Sequence, residues 1–162
     1  MTIRQAEKRD APAVAALWNG MIRDTLATFT TELKTAEAME ALIAERAGAF
    51  WVAAEAEALQ GFVTFGPFRG GPGYVATVEH TIILDASAQG QGLGRSLMAT
   101  AMTGAASSGK HVMIAGISSA NPNAVAFHAA LGFEKTAHMP QVGRKADTWL
   151  DLILMQKTLS AP

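Results

Sequence analysis

A chain of 162 residues is long enough to bury one sizeable core and too short for two. With 49% hydrophobic and 17% charged residues and a formal net charge of -1, it is not a disordered, collagenous or coiled-coil chain, and it lacks the basic surplus that attracts nucleic acid. Cysteine is absent, which excludes a disulfide scaffold, thiolate metal sites and any protein thiol as nucleophile.

Residues 2–6 read as a short strand, and Asp10 with Pro12 has the form of an N-cap followed by proline in the first turn of a helix reaching about Asp24. Met1 to Asp10 alternates polar and charged residues, and no run approaches the roughly 18 apolar residues of a membrane span. A soluble, cytoplasmic protein with no membrane partner is expected. Ala27 to Lys34 has no clean period and reads as an ordered loop. Thr35 can cap a second helix, with Met39, Leu42 and Ile43 on one face, ending near Gly48. Phe50 to Ala54 and Leu59 to Phe65 are strand-like, joined by the hairpin-length segment Glu55 to Ala58. Gly66 to Gly73 (GPFRGGPG) is the most loop-like stretch, and Tyr74 to Leu84 (YVATVEHTIIL) is a strand by its β-branched content. A glycine-rich segment, Asp85 to Gly92, then leads into a helix from about Leu93 to Ser107. His111 to Ile117 reads as a buried strand, and Asn121 with Pro122 caps a helix that stops at Gly132. Phe133 to Met139 and Thr148 to Lys157 suggest a closing antiparallel pair. With no internal repeat or linker, these elements predict one α/β (α+β) domain over residues 1–162 around a single mixed sheet.

Gln89-Gly90-Gln91-Gly92-Leu93-Gly94-Arg95 places three alternate glycines between a strand and a helix. Backbone N–H groups at such a helix start, reinforced by the helix dipole, suit a pyrophosphate; the same glycines also serve a tight turn with no ligand. The dinucleotide fingerprint Gly-x-Gly-x-x-Gly fails at Arg95. Gly104 to His111 (GAASSGKH) mimics a nucleotide-binding loop, but His111 replaces the magnesium-binding hydroxyl and the order is helix to strand. There Gly109 reads as a C-cap, with Lys110 meeting the last helix carbonyls.

Gln89, Gly92 and Gly94 match Gln-x-x-Gly-x-Gly, the pyrophosphate-binding signature of the GNAT superfamily of N-acetyltransferases. Thr77-Val78-Glu79-His80-Thr81, Asn121 to Phe133 (NPNAVAFHAALGF), Met139 to Gly143 (MPQVG) and Trp149-Leu150-Asp151-Leu152 resemble its phosphinothricin and methionine sulfoximine acetyltransferase branch. The match runs from about Phe62 to Leu159, with Phe29 to Glu32 (FTTE) its clearest earlier point. The resemblance implies a mixed, mostly antiparallel sheet of about seven strands flanked by about four helices. It implies acetyl-CoA as co-substrate with no metal, a small-molecule amine as partner, and a homodimer. The activity implied is acetylation of the α-amine of a small L-amino acid or analogue such as methionine sulfoximine, methionine sulfone or phosphinothricin. Another small amine, such as a polyamine or aminoglycoside, or a non-catalytic CoA-binding role, stays open at this point.

Acetyl transfer needs an amine stripped of its proton, donors for the developing oxyanion and a group that stabilises the leaving thiolate. Without a cysteine, direct attack in a ternary complex is expected, with no ping-pong kinetics. Glu79 is an acid inside a β-branched strand, where desolvation raises a carboxyl pKa, although a solvated or salt-bridged glutamate fits too. The resemblance makes it the base, directly or through water. His80 points to the opposite face, either supporting the site or facing solvent. His128 lies about two turns after Asn121 on one helix face. The resemblance gives His128 the thiolate end or a share in amine deprotonation, and gives Asn121 a hydrogen bond to CoA besides its cap. It also assigns cofactor contacts to the backbone of Ile82, Ile83 and Leu84 and to the loop Gln89, Gly90, Gln91, Gly92, Leu93, Gly94 and Arg95. For the acceptor it points to Arg69, a bidentate partner for a carboxylate, with Gly73, Tyr74 and Phe29. Trp149 reads as ordinary core packing. The chain departs from its relatives at Phe68, Ala124 and Ala146-Asp147-Thr148.

Overall fold

A computed structural model describes residues 1–56 and 58–159. Seven strands form one sheet: β1 (Thr2–Gln5), β2 (Phe50–Glu55), β3 (Ala58–Pro67), β4 (Thr77–Leu84), β5 (Val112–Ser118), β6 (Glu134–Lys145) and β7 (Thr148–Thr158). Their order is β1-β2-β3-β4-β5-β7-β6, and every neighbouring pair is antiparallel except β4 with β5. Four α-helices flank it: α1 (Ala11–Asp24), α2 (Ala36–Glu45), α3 (Leu93–Ser107) and α4 (Pro122–Ala130). This is the mixed, mostly antiparallel arrangement expected. The hairpin between β2 and β3 closes with Glu55 opposite Ala58; position 57 lies outside the described residues, as do positions 160–162.

Both sheet faces are covered, so the central strands read as apolar runs. Alternation along β2 sends Phe50 and Val52 to the α1 and α2 side, with Val14, Met39, Ile43, Phe62 and Ile83. Trp51 and Ala53 go to the α3 side, with Val63, Phe65, Leu97, Met98, Met113 and Phe133. Gly104 of α3 lies directly on Trp51, where a Cβ would stand 2.6 Å from Cη2 and 2.7 Å from Cζ2. Gly104→Ala should therefore lower the melting temperature, because overpacking costs about 1–3 kcal/mol against the roughly 1 kcal/mol that alanine gains in a helix. A higher melting temperature would show that α3 can shift away from the tryptophan.

Several boundaries differ from expectation. Tyr74 precedes the strand: Pro72 and its glycine neighbours hold Pro72–Tyr74 in a 3₁₀ turn, and β4 starts at Thr77. β3 runs on to Pro67, opposite Val78. β6 reaches Lys145, passing Pro140 through an irregularity between Met139 and Gly143, which an edge strand tolerates. Asp10 stands at the N-cap of α1 without a side-chain cap bond. Its carboxylate instead accepts from Arg4 Nη1 and Nη2 at 2.7 and 2.8 Å and from the Glu7 N–H at 2.8 Å, tying β1 to the helix entrance. Gly109 does end α3 at φ +82°, and Lys110 meets the last turn through its backbone N–H, which donates to the Ala105 carbonyl at 3.0 Å, while its ammonium bonds the Val75 carbonyl at 2.9 Å. Trp149 is 54% exposed, with the Arg144 guanidinium 4.5 Å over its ring, because the β6–β7 hairpin carries it beyond the core.

Candidate active site

The parallel pairing of β4 with β5 lasts only from Thr77 opposite Val112 to Glu79 opposite Ile114. Beyond that point β4 stays with β3 as far as Leu84, and β5 stays with β7 as far as Ser118. The two strands therefore part, and a cleft of about 400 Å³ opens between them. The hydrogen bonds of His111 N–H to the Ala76 carbonyl and of Asp85 N–H to the Gln60 carbonyl fix the sense of β4. Alternation then turns the peptide groups of Ile82 and Leu84 toward the gap and those of Ile83 toward β3. The Ile83 side chain is buried in the α1 and α2 core, whereas Ile82 and Leu84 line the cleft.

Glu79 reaches into the cleft beside Gly116 of β5. A Cβ at Gly116 would stand 2.8 Å from its Oε1, so a side chain there would displace the carboxylate. Burial pushes the Glu79 carboxyl above the usual range, and the charge of Arg46 pulls it partly back. Arg46 lies against Gly66, the residue opposite Glu79 across the β3–β4 ladder. Desolvation thus supplies what a base for an ammonium needs.

His128 lines the same cleft from α4 and is 4% exposed; His80, on the other face from Glu79, lines it too and is 7% exposed. Alternation predicted the face of His80, and the structure buries it inside the site rather than leaving it to solvent. His80 Nε2 lies 2.9 Å from His128 Nε2, while the Nδ1 atoms bond the carbonyls of Ile114 at 3.0 Å and Ala124 at 2.7 Å. Asn121 caps α4 through Oδ1, which accepts from the Ala124 N–H at 3.2 Å, and also lines the cleft.

At the outer mouth, Gln89 lines the cleft and leads into the glycine loop. Gly90 and Gly92 adopt φ of +74° and +82°, the left-handed region that glycine enters without steric cost. Gly92 is the N-cap of α3 and no side chain caps that helix, so the N–H groups of its first turn are available to an anion. Leu93 and Gly94 are buried, and a Cβ at Gly94 would press to 3.2 Å from the Phe127 ring of α4. Gly90, Gln91 and Arg95 are exposed, with Gln91 Nε2 bonded to the Ser87 carbonyl at 2.7 Å. These residues fit a pyrophosphate held by backbone donors. Among the described residues, no three His, Asp or Glu side chains are grouped to hold a metal ion, and no helix is long and apolar enough to cross a membrane.

The expected acceptor residues are not gathered with Glu79 and His128. Arg69 and Tyr74 line a second hollow of about 450 Å³, shared with Arg46 and Lys110, where the Arg69 guanidinium sits 5.6 Å over the Tyr74 ring. Gly73 is exposed and lines neither cavity, and the Phe29 ring packs on Gly143 of β6. Other residues complete the cleft without having been singled out by sequence: Trp18 and Met21 of α1, Thr28 after it, Gly116 and Phe127. Gly116 carried a readable signal, since a glycine inside an apolar strand marks a close approach.

Transfer of an acyl group from a pyrophosphate-bearing thioester to an amine uses both ends of such a cleft, the anion-binding loop at its mouth and the proton-handling groups within. The chain belongs to the acetyltransferase (GNAT) family, whose sequence pattern matches residues 17–133, from α1 to the end of α4 and Phe133. It is 39% identical to the L-amino acid N-acyltransferase MnaT of Escherichia coli, over 98% of this chain and 94% of that protein. It is likewise 39% identical to the L-methionine sulfoximine/L-methionine sulfone acetyltransferase of Salmonella typhimurium, over 98% and 95%. The structure of yncA from Salmonella typhimurium with acetyl-CoA superposes with a TM-score of 0.93 at 38% identity, covering 98% of this chain and 94% of that one.

Proposed function

We propose that this protein transfers acetyl from acetyl-CoA to the α-amine of a small L-amino acid or analogue of the methionine sulfoximine, methionine sulfone or phosphinothricin kind. One observation carries the reading: the cleft between β4 and β5 has at its mouth a glycine loop opening an uncapped helix, and inside it both a desolvated carboxylate, Glu79, and His128. In this reading the loop from Gln89 to Arg95 holds the pyrophosphate through its backbone, with Leu93 anchoring it in the core. The free edge of β4 at Ile82 and Leu84 carries the pantetheine arm, Ile83 holds that edge to β3, and Asn121 adds a polar contact. Glu79 removes the ammonium proton, and His128 serves the thiol end. Lacking a cysteine, the chain uses direct attack by the amine. Arg69, Gly73, Tyr74 and Phe29 are proposed to enclose the far end of the acceptor, with Arg69 leaving Tyr74 to take its carboxylate. The guanidinium and ammonium groups of Arg46, Arg69 and Lys110 around one hollow favour an anionic end on the acceptor and disfavour a polyamine. A homodimer built on the β6–β7 edge accounts for the exposed Met139, Val142 and Trp149, and a small-molecule acceptor in the cytoplasm, with no nucleic-acid or membrane partner, completes the proposal.

Thiol release from acetyl-CoA across L-amino acids, methionine sulfoximine, methionine sulfone, phosphinothricin, polyamines and aminoglycosides tests the assignment. The expected result is turnover with the amino-acid analogues and intersecting, sequential initial-rate patterns. Turnover with polyamines alone would overturn the acceptor. Tight acetyl-CoA binding with no turnover on any amine would leave a binding module instead.

A further inference from the structure

We propose that His80 and His128 act as one proton-holding unit, and that a single proton shared between their facing ring nitrogens is the one passed from the attacking amine to the departing thiolate. His80 is then a positioning residue working through His128. The proposal rests on the reading that places His128 at the thiol end of the reaction.

All four ring nitrogens have partners within 3.0 Å: the Ile114 carbonyl, the Ala124 carbonyl and each other. A carbonyl oxygen only accepts, so each Nδ1 must be the N–H that donates to it. A neutral imidazole has one N–H. With both Nδ1 atoms protonated, the neutral pair confronts two lone pairs across 2.9 Å, and one further proton turns that contact into a hydrogen bond. The geometry is satisfied by three protons on four nitrogens and not by two.

The surroundings prevent saturation. α4 and β5 carry no charged side chain apart from His128 itself, and β5 contributes the Ile114 carbonyl. Glu79 precedes His80 but points to the other face, and the cation on this side is the Lys157 ammonium, which packs on Gly132 just past the C-terminus of α4, the end that carries His128. The Phe133 ring packs against both imidazoles and the Phe127 ring against His128. Neither imidazole forms an ion pair among the described residues, where the one histidine that does is His138, with Asp151. Burial and the charge of His128 hold His80 down to about 3, and burial lowers His128 as well. Two cationic rings therefore do not coexist near neutral pH, and the pair alternates between no shared proton and one. Geometry favours taking the proton and burial favours releasing it, as a relay requires.

The step balances. Glu79 first takes one proton from the ammonium. As the amine nitrogen attacks the thioester carbonyl carbon, the C–N bond forms and a second nitrogen-bound proton passes to the histidine pair, which holds it between the two Nε2 atoms. When the C–S bond breaks, its electron pair stays on sulfur, which takes that proton and leaves as thiol.

Two measurements decide the matter. In the wild-type protein with ¹⁵N-labelled histidine, both Nδ1 atoms should stay protonated across about pH 5–9 while the two Nε2 resonances move together through one transition worth one proton. Independent titration of the rings, or an unprotonated Nδ1, overturns the pairing, and this readout needs no turnover and no variant. His80→Gln supplies an amide N–H to the His128 Nε2 but cannot share a proton. Its kcat should fall about 10²-fold with the KM for acetyl-CoA within about twofold, and the limb of the pH profile set by His128 should move to lower pH, since a fixed donor stabilises the unprotonated ring. Unchanged kcat and an unchanged limb would overturn the catalytic use even where the shared proton is seen. Absence of turnover in the wild type would strike the acetyltransferase reading, while the titration still settles the pairing.

Discussion

Glu79→Gln is expected to lower kcat/KM for the acceptor by about 10²- to 10⁴-fold while acetyl-CoA binding stays within about twofold. The amide is nearly isosteric, so it keeps the packing beside Gly116 and beneath the cleft and removes only the capacity to take a proton. The sign of the pH dependence follows from the shift: burial raises the Glu79 carboxyl, so the carboxylate needed as base forms above the ordinary range and the wild-type rate climbs through that raised pKa. The glutamine variant should lose that acidic limb and keep whatever limb the histidine pair imposes. Initial rates at saturating acetyl-CoA across pH test both points. Near-wild-type turnover with the acidic limb intact would show that another group, or water alone, strips the ammonium.

The second large effect lies outside the cleft. Lys145, at the end of β6, is buried and its Nζ donates to the carbonyls of Ile22 at 2.7 Å, Thr25 at 2.8 Å and Thr28 at 2.9 Å. Those carbonyls belong to the last turn of α1 and the segment that carries Ala27 and Thr28 to the cleft. Lys145→Met removes one cation and leaves three carbonyls without their donor. The expected loss is about 3 kcal/mol or more, because hydrogen bonds from a charged donor are each worth about 1.5–3 kcal/mol and buried acceptors left unmet add their desolvation. For a chain of this size that corresponds to a melting temperature lower by roughly 6–12 °C. The acceptor KM should rise as well, since Thr28 loses its tether, while acetyl-CoA binding at the far mouth is spared. A melting temperature within about 2 °C of wild type would mean that the segment is held by its other contacts, such as Asn19 bonding Lys34 in both directions.

Local pattern disclosed what local physics determines. The strands of β2 and β3, the caps at Thr35 and Asn121, and the glycine loop before α3 were legible because each rests on neighbours in the chain. The parting of β4 from β5 was not, since nothing in the β-branched run from Thr77 to Leu84 marks where a partner stops; the resemblance to a family supplied it. Alternation put Glu79 and His80 on opposite faces, but that His80 would meet the Ile114 carbonyl and a second histidine depends on residues 34 and 48 positions away. Lys145 is the second of two adjacent cations before a turn, and no periodicity reveals that three carbonyls more than 100 residues earlier surround it. Trp149 shows the converse error. A large aromatic in a strand suggested the interior, yet it sits near the tip of a hairpin where Arg144 covers it.

The grip of His80 on the Ile114 carbonyl has a wider consequence. One edge of β4 is laced to β3, the β4–β5 ladder ends at Ile114, and the His80 imidazole also bonds the Ile114 carbonyl, so the strands stand apart with no ligand present. The opening is thus present in the native fold before any ligand arrives, and the free energy of leaving two strand edges unpaired falls on folding. A co-substrate that adds its amides to that exposed edge meets donors and acceptors already in line, and it binds without first having to separate them.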